Sequence, residues 1–175
     1  MSLAISIRPV TMEELEHQLA ALSSLLSESV HSGASLGFLP PLSRSDAAAY
    51  WLSLRSDLRA GTRLLLGAYV DGCLVGSGQL ALPRWPNARH RAEVQKLIVS
   101  STLQGRGVGG ALLAGLHQAA RQRGRSLLLL NTRRGDSPES FYKALGYRVA
   151  GVIPGYSVGP SGQRMDNVTL YHELI

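Results

Sequence analysis

Seven residues, Gln104-Gly105-Arg106-Gly107-Val108-Gly109-Gly110, carry the clearest chemistry in the chain. They stand between a stretch that reads as a strand and one that reads as an amphipathic helix. Successive backbone N–H groups in such a turn form a nest for an anion at the positive end of a helix, and glycines let a diphosphate approach the main chain closely. Four glycines in the six residues 105–110 cost chain entropy unless the backbone is put to such use. The turn is therefore expected to hold phosphate. The alternative is a helix start whose glycines serve tight packing alone.

Two other phosphate loops fit less well. Gly105, Gly107 and Gly110 also satisfy G-x-G-x-x-G, the dinucleotide fingerprint. A dinucleotide fold sets its first glycine immediately after the strand, whereas residues 100–104 intervene here. It also wants an acid about 20 residues further on, where Leu130 and Asn131 stand, and further strand-helix-strand units. No Gly-Lys-Ser/Thr is present, which excludes a nucleoside-triphosphate loop.

The formal charge of +6 is localised. Residues 103–134 hold Arg106, Arg121, Arg123, Arg125, Arg133 and Arg134 with no acid, and the remainder balances at 12 basic against 12 acidic residues. Such a segment is a solvated helix face, a nucleic-acid surface or a clamp for a small polyanion, the last two drawing on the same long-range attraction. No RNA- or DNA-binding motif is visible, so nucleic acid is not the expected partner.

The elements that must position the turn can be read from periodicity. Ala4 to Arg8 alternates as a strand, and Thr11 with Glu14 forms a capping-box pattern opening a helix to about Ser29. After a loop rich in Gly, Pro and Ser, a second helix runs from about Ser45 to Arg59. Arg63 to Val70 and Cys73 to Leu82 are apolar runs joined by Asp71-Gly72, a two-residue hairpin signal. Arg91 to Val99 is a strand, and the glycine turn then opens a helix that ends at Gly124. Ser126 to Asn131 is a short buried strand, Ser137 to Leu145 a helix, Tyr147 to Ile153 a strand, and Asn167 to Leu174 a last strand after a Pro/Gly-rich loop. This alternation predicts an α/β fold, one mixed sheet with helices on both faces.

Residues 1–175 are expected to form a single domain, since the chain is 45% apolar and 17% charged with no repeat or linker. No apolar run approaches the roughly 20 residues that span a bilayer. Met1-Ser2-Leu3-Ala4 lacks the basic region and apolar run of a secretory signal, so a cytoplasmic location is expected. Cys73 is the one cysteine, and its place in an apolar strand predicts a core residue. The five histidines show no ligand spacing, and no metal is expected.

Gln104-x-x-Gly107-x-Gly109 resembles the acyl-CoA signature of the GNAT-type N-acetyltransferases, Q/R-x-x-G-x-G/A, and the preceding strand ends in Leu97-Ile98-Val99 as that family's does. The similarity runs from about Arg63 to Val152 and includes Phe141-Tyr142 and Leu145-Gly146-Tyr147. It implies a mostly antiparallel mixed sheet with an acyl-CoA cleft. Within the family, Arg89 to Val99, Phe141-Tyr142 and Pro154-Gly155-Tyr156 look closest to the tabtoxin-resistance branch, whose acceptor is an amino-acid-like toxin.

Coenzyme A carries a diphosphate and a 3′-phosphate, which match the basic segment. The resemblance implies acetyl-CoA as co-substrate, with its diphosphate on the backbone of Gly105, Arg106, Gly107, Val108, Gly109 and Gly110 after Gln104. It implies that Leu97, Ile98 and Val99 pair their main chain with the pantetheine arm, and that the N–H of Ile98 polarises the thioester carbonyl. Asn131 stands where family members often bond the pantetheine amides. The tabtoxin-resistance branch has an aspartate there, and an amide cannot replace it as a base.

Transfer to an alkyl amine requires removal of a proton near neutral pH. Glu93, four residues before Leu97, occupies a position where some family members carry a catalytic glutamate. The alternative is a strand-end carboxylate paired with Arg91 or Lys96. Tyr142 stands where the family often has the acid that protonates the departing thiolate, the alternative being a core aromatic. The expected reaction is acetylation of a primary amine on a small, amino-acid-like acceptor. A protein N-terminus or lysine as acceptor is one alternative; a non-catalytic acyl-CoA sensor or a basic nucleic-acid binder is another. A homodimer is allowed for.

Overall fold

A computed structural model describes residues 3–174. In chain order the elements are β1 (Ser6–Pro9), α1 (Met12–His31), α2 (Arg44–Ser53), α3 (Arg55–Ala60), β2 (Arg63–Val70), β3 (Cys73–Ala81), β4 (Arg91–Val99), α4 (Val108–Arg121), β5 (Leu127–Arg133), α5 (Ser137–Ala144), β6 (Arg148–Val158) and β7 (Arg164–Glu173). The strands form one sheet in the order β1-β2-β3-β4-β5-β7-β6. All neighbours are antiparallel except β4 and β5. This is the mixed, mostly antiparallel sheet flanked by helices that the sequence predicts.

Local chemistry explains most of the boundaries. Thr11 and Glu14 close a reciprocal capping box at the start of α1, which satisfies two of the amides a helix start leaves open. Asp71 and Gly72 both take positive φ, 49° and 79°, as a hairpin turn matching the strand twist requires. The helix expected over 45–59 is instead two, broken at Leu54, and the break turns that side chain into the core beside Trp51. The last hairpin is longer than expected, because β6 continues through Pro154 to Val158. Pro154 is tolerated there because β6 is the edge of the sheet and its register shifts between Ile153 and Ser157.

Alternation along β2 feeds two cores. Leu66 and Ala68 join Leu80, Val94, Leu112, Leu116 and Leu128 beneath α4, while Leu65 joins Leu15, Leu22, Leu26 and Trp51 beneath α1 and α2. Trp51 is fully buried, and its indole N–H donates to the carbonyl of Leu22 at 3.0 Å. Cys73 is not a core residue. It opens β3 next to the hairpin turn, where its side chain is exposed.

The arginine-rich segment 103–134 does not act as one unit. Arg121, Arg123 and Arg125 lie at the C-terminal end of α4, roughly 20 Å along the helix from the glycine turn. Arg123 donates to the carbonyl of Ala119, and Arg125 donates to the carbonyls of Pro83 and Arg89. Arg123 and Arg125 hold backbone, and from that end of α4 none of the three reaches a ligand at the turn.

One titratable cluster lies within this framework. His117 on α4 shares a 3.0 Å hydrogen bond with the Tyr147 hydroxyl and stacks on His172 of β7. Burial, then the neighbouring His172 and Arg121, lower the His117 pKa from 6.5 to about 4. The unfolded chain therefore binds a proton near pH 6.5 that the folded chain refuses until about pH 4, so stability is lost as pH falls through that window. The midpoint of thermal unfolding should drop between pH 7 and 4.5, and His117→Phe should flatten the drop. An equally steep profile in that variant would assign the acid sensitivity to other groups.

Candidate active site

The parallel pairing of β4 with β5 is short. It joins Arg91 to Leu127, Ala92 to Leu128 and Glu93 to Leu129, and goes no further. Beyond it the strands part around a cavity of about 990 Å³. Residues 93–99 of β4 form one wall and Asn131–Arg133 of β5 another; Tyr142 of α5 and Tyr156 of β6 also border it. The cover is the end of α1, including Leu25 and Glu28, with the loop that follows as far as Gly37.

β4 also carries a bulge. Gln95 pairs with Gln79 and Ile98 with Ser77, so Lys96 and Leu97 together oppose Gly78 alone. Lys96 takes φ 49°, a left-handed value for a residue with a side chain. Leu97 drops toward α4 because Gly78 has no side chain; a Cβ there would sit 2.9 Å from Leu116 and 3.1 Å from Leu97.

Hydrogen-bond direction along this strand differs from expectation at Ile98. The Ser100 N–H donates to the Val75 carbonyl on β3. Backbone groups alternate in direction along a strand, so the Ile98 N–H also points to β3, and its side chain lies in the core under α1. Val99 is the residue turned to the cavity. Its carbonyl accepts from the Gln104 side chain at 3.2 Å, which ties the loop before the glycine turn to the end of β4.

Glu93 lines the cavity where the strands begin to part. Its neighbours Ala92 and Val94 are buried under α4, which places the carboxylate on the opposite face. Among the described residues neither Arg91 nor Lys96 forms an ion pair with it. Tyr142 is 7% exposed, packs edge-on to Phe141 with centroids 5.1 Å apart, and still borders the cavity. Burial raises its pKa, so the phenol keeps its proton. Asn131 Oδ1 accepts from Asn167 at 2.9 Å and Thr169 at 2.8 Å. Those bonds fix the amide plane and leave its NH2 group available as a donor.

The glycine turn lies beyond Gln104, the last residue of this region on the cavity wall. Gly105 and Gly107 take φ of 74° and 88°, a conformation that glycine adopts without strain. Gly107 is the N-cap of α4 and no side chain caps the helix. The first bond within it is from Ala111 N–H to the Gly107 carbonyl. The amides of Val108, Gly109 and Gly110 are therefore left at a positive helix end. Gly109 does serve packing, with Phe141 3.4 Å from where its Cβ would be, whereas the space at Gly110 is open.

Several features of the site were not legible in the sequence. Glu28 and Arg133 line the cavity from distant elements, and the Nε of Arg133 is buried without a hydrogen-bond partner. Lys96 is brought in only by the bulge. Trp85, on the loop between β3 and β4, is 76% exposed and takes no part in the cavity wall. Among the described residues no group of three or more His, Cys, Asp or Glu is placed to hold a metal, and no helix is long and apolar enough to cross a membrane.

Residues 30–147 match the family model of the acetyltransferase (GNAT) family. The fold is shared with solved structures of low sequence identity. A candidate acetyltransferase, yncA, from Salmonella typhimurium, solved with its cofactor acetyl-CoA, is 19% identical over 98% of this chain and 95% of its own, with a TM-score of 0.79. A ribosomal-protein-alanine N-acetyltransferase from Brucella melitensis is 21% identical over 96% of this chain and 99% of its own, with a TM-score of 0.77. A candidate phosphinothricin N-acetyltransferase is 20% identical over 98% of this chain and 99% of its own, with a TM-score of 0.78.

The open space at Gly110 allows a clean test of the nest. Gly110→Glu adds negative charge beside the free amides without a packing clash, and should weaken coenzyme A binding at least about tenfold with thermal stability retained. Calorimetry showing unchanged affinity would remove the turn from the binding site.

Proposed function

The chain belongs to the acetyltransferase (GNAT) family, and from that premise we propose that it transfers an acetyl group from acetyl-CoA to the primary amine of a small, amino-acid-like acceptor. The observation that carries this reading is a single length of unpaired β4 backbone with a carboxylate, Glu93, at its inner end and a capless helix start at its outer end. A phosphate-bearing thioester laid along that edge has its diphosphate at the amides of 108–110 and its acyl group near Glu93. The outward-turned amide and carbonyl of Val99 serve the pantetheine arm as a neighbouring strand would. The Asn131 amide donor faces it from β5.

Each chemical step then has a residue. The bulge at Lys96–Leu97 leaves backbone outside the ladder, and the Leu97 amide, which alternates away from that of Ile98, polarises the thioester carbonyl in its place. Glu93 removes a proton from the acceptor ammonium, directly or through a water, and the neutral amine attacks the carbonyl carbon. The tetrahedral intermediate expels the thiolate, which takes the proton of the Tyr142 phenol, and the extra proton left on the acylated nitrogen passes to the Tyr142 oxygen, giving the neutral amide and restoring the phenol.

Acceptors of both kinds occur among proteins of this fold, a ribosomal-protein alanine and phosphinothricin by their names. The cover over the acceptor side, from α1 and the loop to Gly37, favours a small molecule here. The reading is tested by incubating the protein and acetyl-CoA with amino acids, their amine analogues and an unstructured peptide, following thiol release and product mass. Acetylation of the peptide with none of the small amines would overturn it.

Two substitutions separate the steps. Glu93→Gln should lower turnover by about 10²- to 10⁴-fold at neutral pH, and the loss should shrink as pH rises and free amine accumulates; a loss independent of pH would make Glu93 a positioning group. Tyr142→Phe keeps the ring and its packing. It should reduce kcat by about 10- to 100-fold with coenzyme A affinity and thermal stability nearly unchanged. Full kcat in that variant would leave Tyr142 as core alone.

A further inference from the structure

The acceptor side of the cavity contains a cation that the transfer chemistry does not use. In a regular strand Glu93 and Lys96 would face opposite sides of the sheet, since an odd number of positions separates them. The extra residue at Lys96–Leu97 cancels that alternation. Lys96 consequently projects to the Glu93 side, its Nζ 5.4 Å from the ring centroid of Tyr50 and 5.7 Å from that of Phe38. Both Glu93 and Lys96 line the same cavity.

The ammonium is poorly compensated there. Lys96 is half-buried, and among the described residues no carboxylate lies within ion-pair distance of it. Lysines this far from water are usually paired. The facing groups are two aromatic rings, the Glu93 carboxylate further along the strand, and a second cation, Arg63. Arg63 is itself engaged by Asp57 and by the side-chain oxygens of Gln79 and Gln95. Burial first, then Arg63, lower the Lys96 pKa, and Glu93 partly offsets them. An anion arriving beside Lys96 would offset both effects.

We propose that Lys96 is the carboxylate-binding residue of the acceptor site, so that β4 reads a bipolar acceptor with Glu93 on its amine and Lys96 on its carboxylate. This deepens the function proposed above and rests on it. The left-handed backbone at Lys96 acquires a purpose, because it is what brings both charges to one face. The substrate class that follows is a free amino acid bearing a primary amine and an unblocked carboxylate, at either α or longer spacing. Amines without a carboxylate lack the second contact.

The test compares acceptors that differ only in the carboxylate: amino acids of α and ω type, their amides, and their decarboxylated amines, assayed by thiol release from acetyl-CoA. The wild-type protein should favour the carboxylate-bearing member of a pair by about 10- to 100-fold in kcat/KM, the range of one charge-assisted contact. Lys96→Met should abolish that preference by raising KM for the carboxylate member alone. The KM for acetyl-CoA and the turnover of the decarboxylated amine should hold, and Lys96→Arg should restore part of the preference. Equal losses for both members of a pair, or a wild-type preference for the decarboxylated amine, would overturn the assignment while leaving acetyl transfer to small amines intact. Absence of turnover with every member, in protein that binds acetyl-CoA by calorimetry, would remove the small-acceptor reading and this subsite with it.

Discussion

Backbone that stops pairing inside a protein must find other partners, and the site depends on where that happens. β4 and β5 are held together by three residue pairs and then part. Amides and carbonyls along the exposed edge of β4 would be costly to bury unsatisfied, so the gap has to remain open to water or accept a chain that hydrogen-bonds like a strand. The surrounding elements keep it from closing. β3 holds β4 from one side and β7 holds β5 from the other along its whole length, while α4 and α1 occupy the two faces of the sheet.

The bulge in β4 acts on this same edge. Two residues opposite Gly78 reset the alternation of the strand, which sends Leu97 into the core under α4 and Lys96 into the cavity. Without the bulge, the apolar pattern of the strand could not satisfy both cores and also supply charge to the cavity. A glycine on the partner strand is the accommodation that makes it possible. The buried Gln79 beside it is held by Tyr50 and Arg63, so the polar layer next to the bulge is braced from α2 and β2.

Tyr142 combines a place in the core with a place on the cavity wall. Its ring lies in the core with Phe141 and Tyr147, and the same burial that stabilises the ring keeps the phenol protonated. The proton-donor role proposed for Tyr142 thus falls on a residue that is also part of the core. The glycines divide in a similar way: Gly105 and Gly107 shape the turn, Gly109 packs against Phe141, and Gly110 leaves space.

The sequence by itself determined whatever depends on residues close together in the chain. Thr11 with Glu14, Asp71 with Gly72, and the glycine turn before α4 are local devices whose side-chain and φ requirements can be read without a fold. Alternating and helical periods likewise identified the sheet and its helices. Tertiary structure alone decided the rest. Nothing in β4 as a string announces a bulge, because it depends on Gly78 across the ladder, and so neither Lys96 nor the direction of the Ile98 amide could be foreseen. The basic segment looked like one clamp because charge was counted along the chain, whereas a helix 14 residues long carries Arg121, Arg123 and Arg125 away from the turn. Cys73 read as core from its apolar neighbours, yet the first residue of a hairpin strand lies at the rim of the sheet, where burial depends on what happens to pack above it.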